Sequence, residues 1–164
     1  MRYVIDTMKP DDWGRVRAIY LEGIAAGDAT FETDAPAWDE WDSNHLPNPR
    51  LVARDADTVL GWAALSPVSR RRVYAGVGEV SVYVCESARG LGLGRALLEA
   101  LIEESEGHGV WTLQAGIFPE NIPSIKLHLR CGFRLVGRRE RIGKLKGVWR
   151  DTILFERRSQ TVGI

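Results

Sequence analysis

At 164 residues, 45% of them hydrophobic and 27% charged, the chain is long enough for one packed domain and too apolar to be disordered. Its 22 Lys and Arg balance 22 Asp and Glu, which excludes a global field drawing it to nucleic acid or a membrane, so an anionic ligand must be caught locally. The opening Met1-Arg2-Tyr3-Val4-Ile5-Asp6 is charged and lacks the apolar stretch of a signal peptide, no run approaches the roughly 20 apolar residues of a membrane span, and Cys85 and Cys131 have neither metal-ligand nor disulfide spacing; the expectation is a cytoplasmic protein without metal, nucleic-acid or membrane partners.

No repeat, low-complexity tract or linker divides the sequence, so residues 1–164 are read as one domain, with 159–164 as a flexible tail. Arg2–Thr7 reads as a strand, and Asp11–Ala25 as a helix opened by Pro10 and Asp11 with Val16, Ile19 and Tyr20 inward. A small-residue loop, Ala26–Ala35, precedes a short helix carrying Trp38, Trp41 and Leu46. Leu51–Arg54 and Val59–Ser66 form a hairpin turned at Asp55-Ala56-Asp57, and Gly78–Val84 is a strand by its β-branched content. Leu93–Glu106 is a helix with Leu97, Leu98 and Leu101 at helical spacing, stopped by Gly107 and Gly109. Val110–Ile117 is the next strand, Pro123–Cys131 the next helix, and Phe133–Arg141 and Val148–Glu156 a closing antiparallel pair around Lys146-Gly147. This order predicts an α/β domain with a mixed rather than purely parallel sheet.

The sharpest local signal lies between a strand and a helix, where Arg89-Gly90-Leu91-Gly92-Leu93-Gly94-Arg95 places three glycines between two arginines. Glycines let backbone approach a bulky anion, and the free N–H groups of a helix start point at it. The plainer alternative is a glycine turn opening a helix. A Walker A loop would follow its last glycine with Lys-Ser or Lys-Thr, whereas Gly94 is followed by Arg95-Ala96. A dinucleotide fingerprint needs glycine where Arg95 stands, and usually sits on the first strand.

With these residues the chain resembles the GNAT superfamily of N-acetyltransferases, whose acetyl-CoA signature Arg/Gln-x-x-Gly-x-Gly/Ala is present as Arg89-Gly90-Leu91-Gly92-Leu93-Gly94. Asn121-Ile122-Pro123-Ser124 and His128-Leu129-Arg130-Cys131-Gly132-Phe133 resemble its later elements. Ile19-Tyr20, Ala29-Thr30-Phe31-Glu32, Arg71-Arg72-Val73-Tyr74, Glu79-Val80-Ser81-Val82-Tyr83-Val84 and Gly147-Val148-Trp149-Arg150-Asp151 are similar to the phosphinothricin N-acetyltransferase-like branch. The resemblance implies the GNAT fold, a mixed sheet of about seven strands flanked by about four helices. It also implies acetyl-CoA as donor, held by Val82, Val84, Arg89, Gly90, Leu91, Gly92, Leu93, Gly94, Arg95, Asn121 and Ser124. Transfer would be direct, within a ternary complex, in a homodimer.

An amine must lose a proton before it attacks a thioester, and Glu79 is the candidate base, directly or through a water. Alternation puts Glu79, Ser81 and Tyr83 on one strand face, turned to substrate, and Val80, Val82 and Val84 on the other, packed on helices. The resemblance implies a bulge here that frees the Val80 N–H for the thioester oxyanion. His128 stands where many members carry Tyr, and is read either as the acid for the leaving thiolate or as a packing or cofactor contact. His45 and His108 read as surface residues, and no zinc-ligand spacing occurs. Cys85, without a base nearby in sequence, reads as a small strand-end residue rather than a nucleophile.

The resemblance puts Arg71, Arg72 and Tyr74 on the acceptor, where a guanidinium would take a carboxylate or phosphinate, and Phe31 and Glu32 on the other wall of its pocket. Phe31 reads equally as a loop anchor, and Trp149 as pocket lining or hairpin packing. Many branch members carry Lys where this chain has Leu145, between Lys144 and Lys146. The expected acceptor is an amino acid or mimic such as phosphinothricin, methionine sulfoximine or methionine sulfone; a protein or peptide N-terminus and a non-catalytic acyl-CoA sensor are the alternatives.

Overall fold

The computed structural model describes residues 2–164. Strand β1 (Val4–Thr7) leads through a 3-10 turn at Pro10–Asp12 into helix α1 (Trp13–Ala26). Pro10 starts that turn because its missing N–H would have no partner there. Gly27 ends α1 in the left-handed region (φ 88), its N–H donating to the Ile24 carbonyl. Helix α2 (Trp38–Asn44) stops short of Leu46. Strands β2 (Arg50–Asp55) and β3 (Thr58–Pro67) form the expected hairpin, with Ala56 at φ 51 in its turn. Then come β4 (Val77–Val84), α3 (Leu93–Gly107), β5 (Thr112–Ile117), α4 (Ile122–Arg130), β6 (Arg134–Leu145) and β7 (Val148–Arg158).

The seven strands lie in the order β1-β2-β3-β4-β5-β7-β6. Only β4 and β5 run parallel, joined through α3; every other neighbour is antiparallel. The sheet is therefore mixed, as the element order predicted.

Side-chain alternation sends neighbouring residues to opposite helical layers. Trp62 and Tyr83 face α1 and α2: their rings stack 5.0 Å apart, Tyr20 lies 5.0 Å from Tyr83, and Trp41 meets Trp62 edge-on at 5.6 Å. Gly23 permits this approach, since a Cβ there would stand 2.6 Å from the Tyr83 ring. Gly61 and Val84 face α3, where a Cβ on Gly61 would meet Leu97 at 3.0 Å. The expectation that only the valine face of β4 packs on helices is thus corrected. Both faces are covered at its C-terminal end, and Tyr83 belongs to the aromatic core.

One ion pair fastens the first helix to the sheet. The Arg54 guanidinium on β2 grips both oxygens of buried Asp12, at 3.1 and 2.8 Å, while the Lys9 N–H donates to the same carboxylate. Burial pushes the Asp12 carboxyl up, but these bonds outweigh it and hold its pKa below the ordinary value.

Residues 159–164, expected to be a flexible tail, instead bond to the domain through 159–163. Ser159 is buried, its N–H donates to the Trp111 carbonyl, and its hydroxyl and that of Thr161 bond Glu106.

Candidate active site

The site grows from a fork in the sheet. Pairing of β3 with β4 runs unbroken from Gly61↔Val84 to Pro67↔Gly78, so the bulge expected in β4 is absent on this edge. Parallel pairing of β4 with β5 holds only from Val77↔Thr112 to Glu79↔Gln114. Beyond that rung β5 stays with β7 as far as Ile117↔Ile153, and Ser81–Val84 part from it. Termination of the ladder, rather than an inserted residue, opens the sheet.

Backbone polarity along β4 then follows from alternation. The Cys85 N–H and the Val77 carbonyl both bond toward β3, so odd-numbered residues between them turn their polar groups that way. Val80, Val82 and Val84 turn theirs to β5. Val80 follows directly on the last rung, and the backbone groups of Val82 and Val84 border the opening, with the Arg89 Nε 3.5 Å from the Val84 carbonyl. Such unpaired edge groups are a template for an extended ligand carrying amides.

At the mouth of the fork, Gly90 (φ 76) and Gly92 (φ 86) take left-handed backbone, and Gly92 opens α3 without a side-chain cap. The first satisfied helical N–H is that of Ala96, bonded to the Gly92 carbonyl. Among the described residues, the N–H groups from Gly90 to Arg95 have no acceptor. These orphan donors, at the positive end of a 15-residue helix, form a cradle for an anion. Arg89, Gly90, Leu91, Gly92 and Arg95 are exposed, and Arg95 pairs with Glu99 on its own helix at 2.7 Å. Leu93 differs: its side chain is buried in the core, so only its backbone is available to a ligand.

Glu79 stands at the branch point of the fork. Its Oε1 accepts a 3.4 Å bond from Gln114 Nε2, and Gly116 beside it adds no side chain. The loop entering β4 carries Arg71, Arg72 and Tyr74 on a short 3-10 turn, all exposed. The Arg71 guanidinium lies 5.5 Å from the Tyr74 ring centroid, and none of Arg70, Arg71 and Arg72 meets a carboxylate among the described residues. The opposite wall is the loop after α1. Phe31 packs edge-on to Phe118 at 4.8 Å and sits where Gly143 leaves room, so it anchors this loop. Glu32 is exposed; burial first, and then its charge, push the Tyr20 hydroxyl above its ordinary pKa.

Arg150 on β7 organises this wall and was missed as a site residue. Its guanidinium bonds the Gly27 carbonyl at 3.2 Å, Asp28 at 2.8 Å and Glu120 at 3.3 Å, and lies 4.1 Å from the Phe118 ring centroid. Two of these partners lie more than 100 residues away in sequence, so no local pattern could have announced it. A cavity of about 510 Å³ beside it is lined by Asp28, Glu32, Glu120, Leu145, Trp149 and Arg150, among others. Leu145 is buried there, and Lys144 lies over Trp149.

Helix α4 closes the other side. Asn121 caps it, accepting the Ser124 N–H, while its amide nitrogen donates to the Asp28 carbonyl. Both ends of Asn121 are thus engaged within the chain. His128 is buried, its Nδ1 2.7 Å from the Ser124 carbonyl and its ring edge-on to Phe133. Burial holds its pKa below the ordinary value, and because a carbonyl only accepts, a proton on Nδ1 is committed to it. This geometry favours the packing reading of His128 over the acid. Cys85 is buried, and among the described residues its thiol is hydrogen-bonded to Ser87 and to no base.

The profile of the Acetyltransferase (GNAT) family matches residues 13–133, from the start of α1 to the end of α4's exit loop. The chain belongs to the GNAT acetyltransferase family. It is 34% identical over 160 residues to a phosphinothricin N-acetyltransferase of Alcaligenes faecalis, covering 93% of this chain and 81% of that one. It is 41% identical over 109 residues to an L-methionine sulfoximine/L-methionine sulfone acetyltransferase of Pseudomonas paraeruginosa; that match covers 66% of this chain and 63% of the relative, just under two thirds of its length. The crystal structure of a GNAT superfamily phosphinothricin acetyltransferase from Sinorhizobium meliloti in complex with AcCoA superposes with a TM-score of 0.88 at 29% identity, over 99% of this chain and 91% of that one. The GNAT fold expected from the sequence is the fold observed.

Proposed function

We propose that this GNAT enzyme transfers acetyl from acetyl-CoA to the primary amine of an amino acid or amino-acid mimic of the phosphinothricin, methionine sulfoximine or methionine sulfone type. The observation that carries the reading is the joining, at one fork, of an anion cradle at Gly90–Arg95 with a carboxylate at Glu79.

The donor's phosphates sit on the Gly90–Arg95 N–H groups with Arg89 and Arg95 beside them, each charge-assisted bond contributing about 1.5–3 kcal/mol. Its amide-bearing arm runs along Val82 and Val84. That brings the thioester to Val80, whose N–H lies nearest the last rung of the fork; using it for the oxyanion requires that rung to loosen. Glu79 takes the ammonium proton, held in place by Gln114. Arg71, with Arg72 and Tyr74, takes the acceptor's acidic group, and the Arg150-braced loop with Phe31 and Glu32 supplies the far wall. Asn121 and Ser124 serve the donor side through the cap of α4, and His128 packs beneath them.

The long edge strand β6 exposes Leu135, Val136 and Ile142, and Val148 and Trp149 add to the apolar surface of its hairpin. Such an edge needs covering, and a second copy is the occupant we propose. Two unpaired cysteines fit a reducing cytoplasm, and no helix is long and apolar enough to cross a membrane.

Glu79→Gln tests the assignment. Turnover should fall about 100- to 10,000-fold, the range general-base catalysis supplies, with acetyl-CoA affinity retained in a titration. Unchanged turnover would remove Glu79 from the chemistry.

A further inference from the structure

Trp111 occupies a place that the transfer reaction does not use. Its ring lies directly on the backbone of Gly76, where a Cβ would stand 2.0 Å from the indole. The N–H groups of Trp111 and Thr112 both donate to the Gly76 carbonyl, at 2.8 and 3.1 Å. Gly76 in turn lies two residues beyond the 3-10 turn that carries Arg71, Arg72 and Tyr74.

Trp111 is also held by the segment after β7. Gly163, in left-handed backbone at φ 71, closes over it so tightly that a Cβ would stand 2.9 Å from Trp111 Cβ. Arg158 fixes that closure by donating to the carbonyls of Trp111 at 3.3 Å, Ser159 at 2.9 Å, Val162 at 2.9 Å and Gly163 at 2.6 Å. A guanidinium spread over four carbonyls is a clamp that a lysine could not reproduce. Trp111 therefore has one glycine packed against its six-membered ring and a second against its Cβ and Cγ.

The turn itself has few other anchors. Beyond the local bonds of Tyr74 to Arg71, Ala75 to Arg72 and Arg71 to Ser69, and the Arg71–Tyr74 stack, no hydrogen bond or ion pair ties its side chains to another element among the described residues. Its position is set at the ends, by the β3–β4 ladder and by Gly76 on Trp111.

We infer that Arg158, Gly163 and Trp111 form a buttress that positions the Arg71–Tyr74 turn, making 159–163 a specificity-determining segment for the acceptor. They are positioning residues: none borders the donor cradle. The inference rests on the acceptor reading of Arg71.

The test is steady-state kinetics of Arg158→Met and Gly163→Val with L-methionine sulfone and acetyl-CoA each varied, beside Arg71→Ala as reference. Both buttress variants should raise the acceptor KM about fivefold or more, leaving the acetyl-CoA KM within about twofold and kcat nearly unchanged. An unmoved acceptor KM, or parallel rises in both KM values, would overturn the inference, the second because a general loosening spares neither substrate. If a variant does not fold, Gly163→Ala, which adds one methyl, gives the same readout. Should Arg71→Ala itself leave the acceptor KM unmoved, the acceptor reading fails; should it act while the buttress variants do not, only the buttress fails.

Discussion

His128 is the residue where burial bears most directly on a choice between acid and packing contact that the sequence leaves equal. In the folded chain its pKa is lowered by burial, so the unfolded state binds the proton more readily below the ordinary value of about 6.5. The stabilisation from keeping it neutral is present above that value and is lost as pH falls below it. His45, also lowered by burial first, adds in the same direction. The urea midpoint should therefore drop between pH 7 and pH 5, and His128→Leu should flatten part of that drop. Its kcat at neutral pH should stay within about threefold, since a true acid would contribute at least about 100-fold. A large kcat loss without loss of fold would return His128 to the chemistry.

At the scale of elements, the proposed reading gives the glycine loop and the fork the work of holding the donor between them. Gly92 has open space around it, with nothing nearer a Cβ than the Tyr3 hydroxyl at 3.9 Å, but its φ of 86 strains any other residue. Gly92→Val should cost about 1–2 kcal/mol of backbone strain and turn the N–H cradle, weakening acetyl-CoA about tenfold in a binding titration. Unchanged affinity would mean the cradle is not the phosphate site. What was legible in the loop is its backbone: three glycines between two arginines mark a strand-to-helix turn, and Gly90 and Gly92 do take left-handed backbone there. The place of Glu79 on β4 was legible from the strand pattern, and the proposed role rests on the family pattern. The fork was not, because the point where a ladder stops depends on strand directions set elsewhere. Arg150 and Trp111 were illegible for a related reason: Asp28, Gly76 and Gly163 reach them only once the chain has closed. Tyr83 was assigned to a polar face on period alone, and the aromatic contacts of Tyr20, Trp41 and Trp62 overrode it.

Across the whole molecule, an edge strand and an acceptor pocket remain to be completed. β6 has only β7 beside it, and its outer backbone is a template for association. Ile142→Glu should shift the sedimentation coefficient from that of a dimer to that of a monomer without lowering the melting temperature by more than a few degrees; a wild-type monomer would contradict the interface. In the proposed reading, the donor half of the site is built by contiguous elements, whereas the acceptor half gathers a turn, a loop, β7 and the segment beyond it, so substrate choice is the property most spread through the fold. The most direct measurement is CoA-thiol release from acetyl-CoA with L-methionine sulfoximine, L-methionine sulfone, phosphinothricin, their carboxamides and short peptides as acceptors. Turnover confined to the free amino-acid mimics, lost in the carboxamides and reduced in acceptor affinity by Arg71→Ala, is the expected result. Turnover of peptides alone, or acetyl-CoA binding with no acceptor turned over, would contradict it.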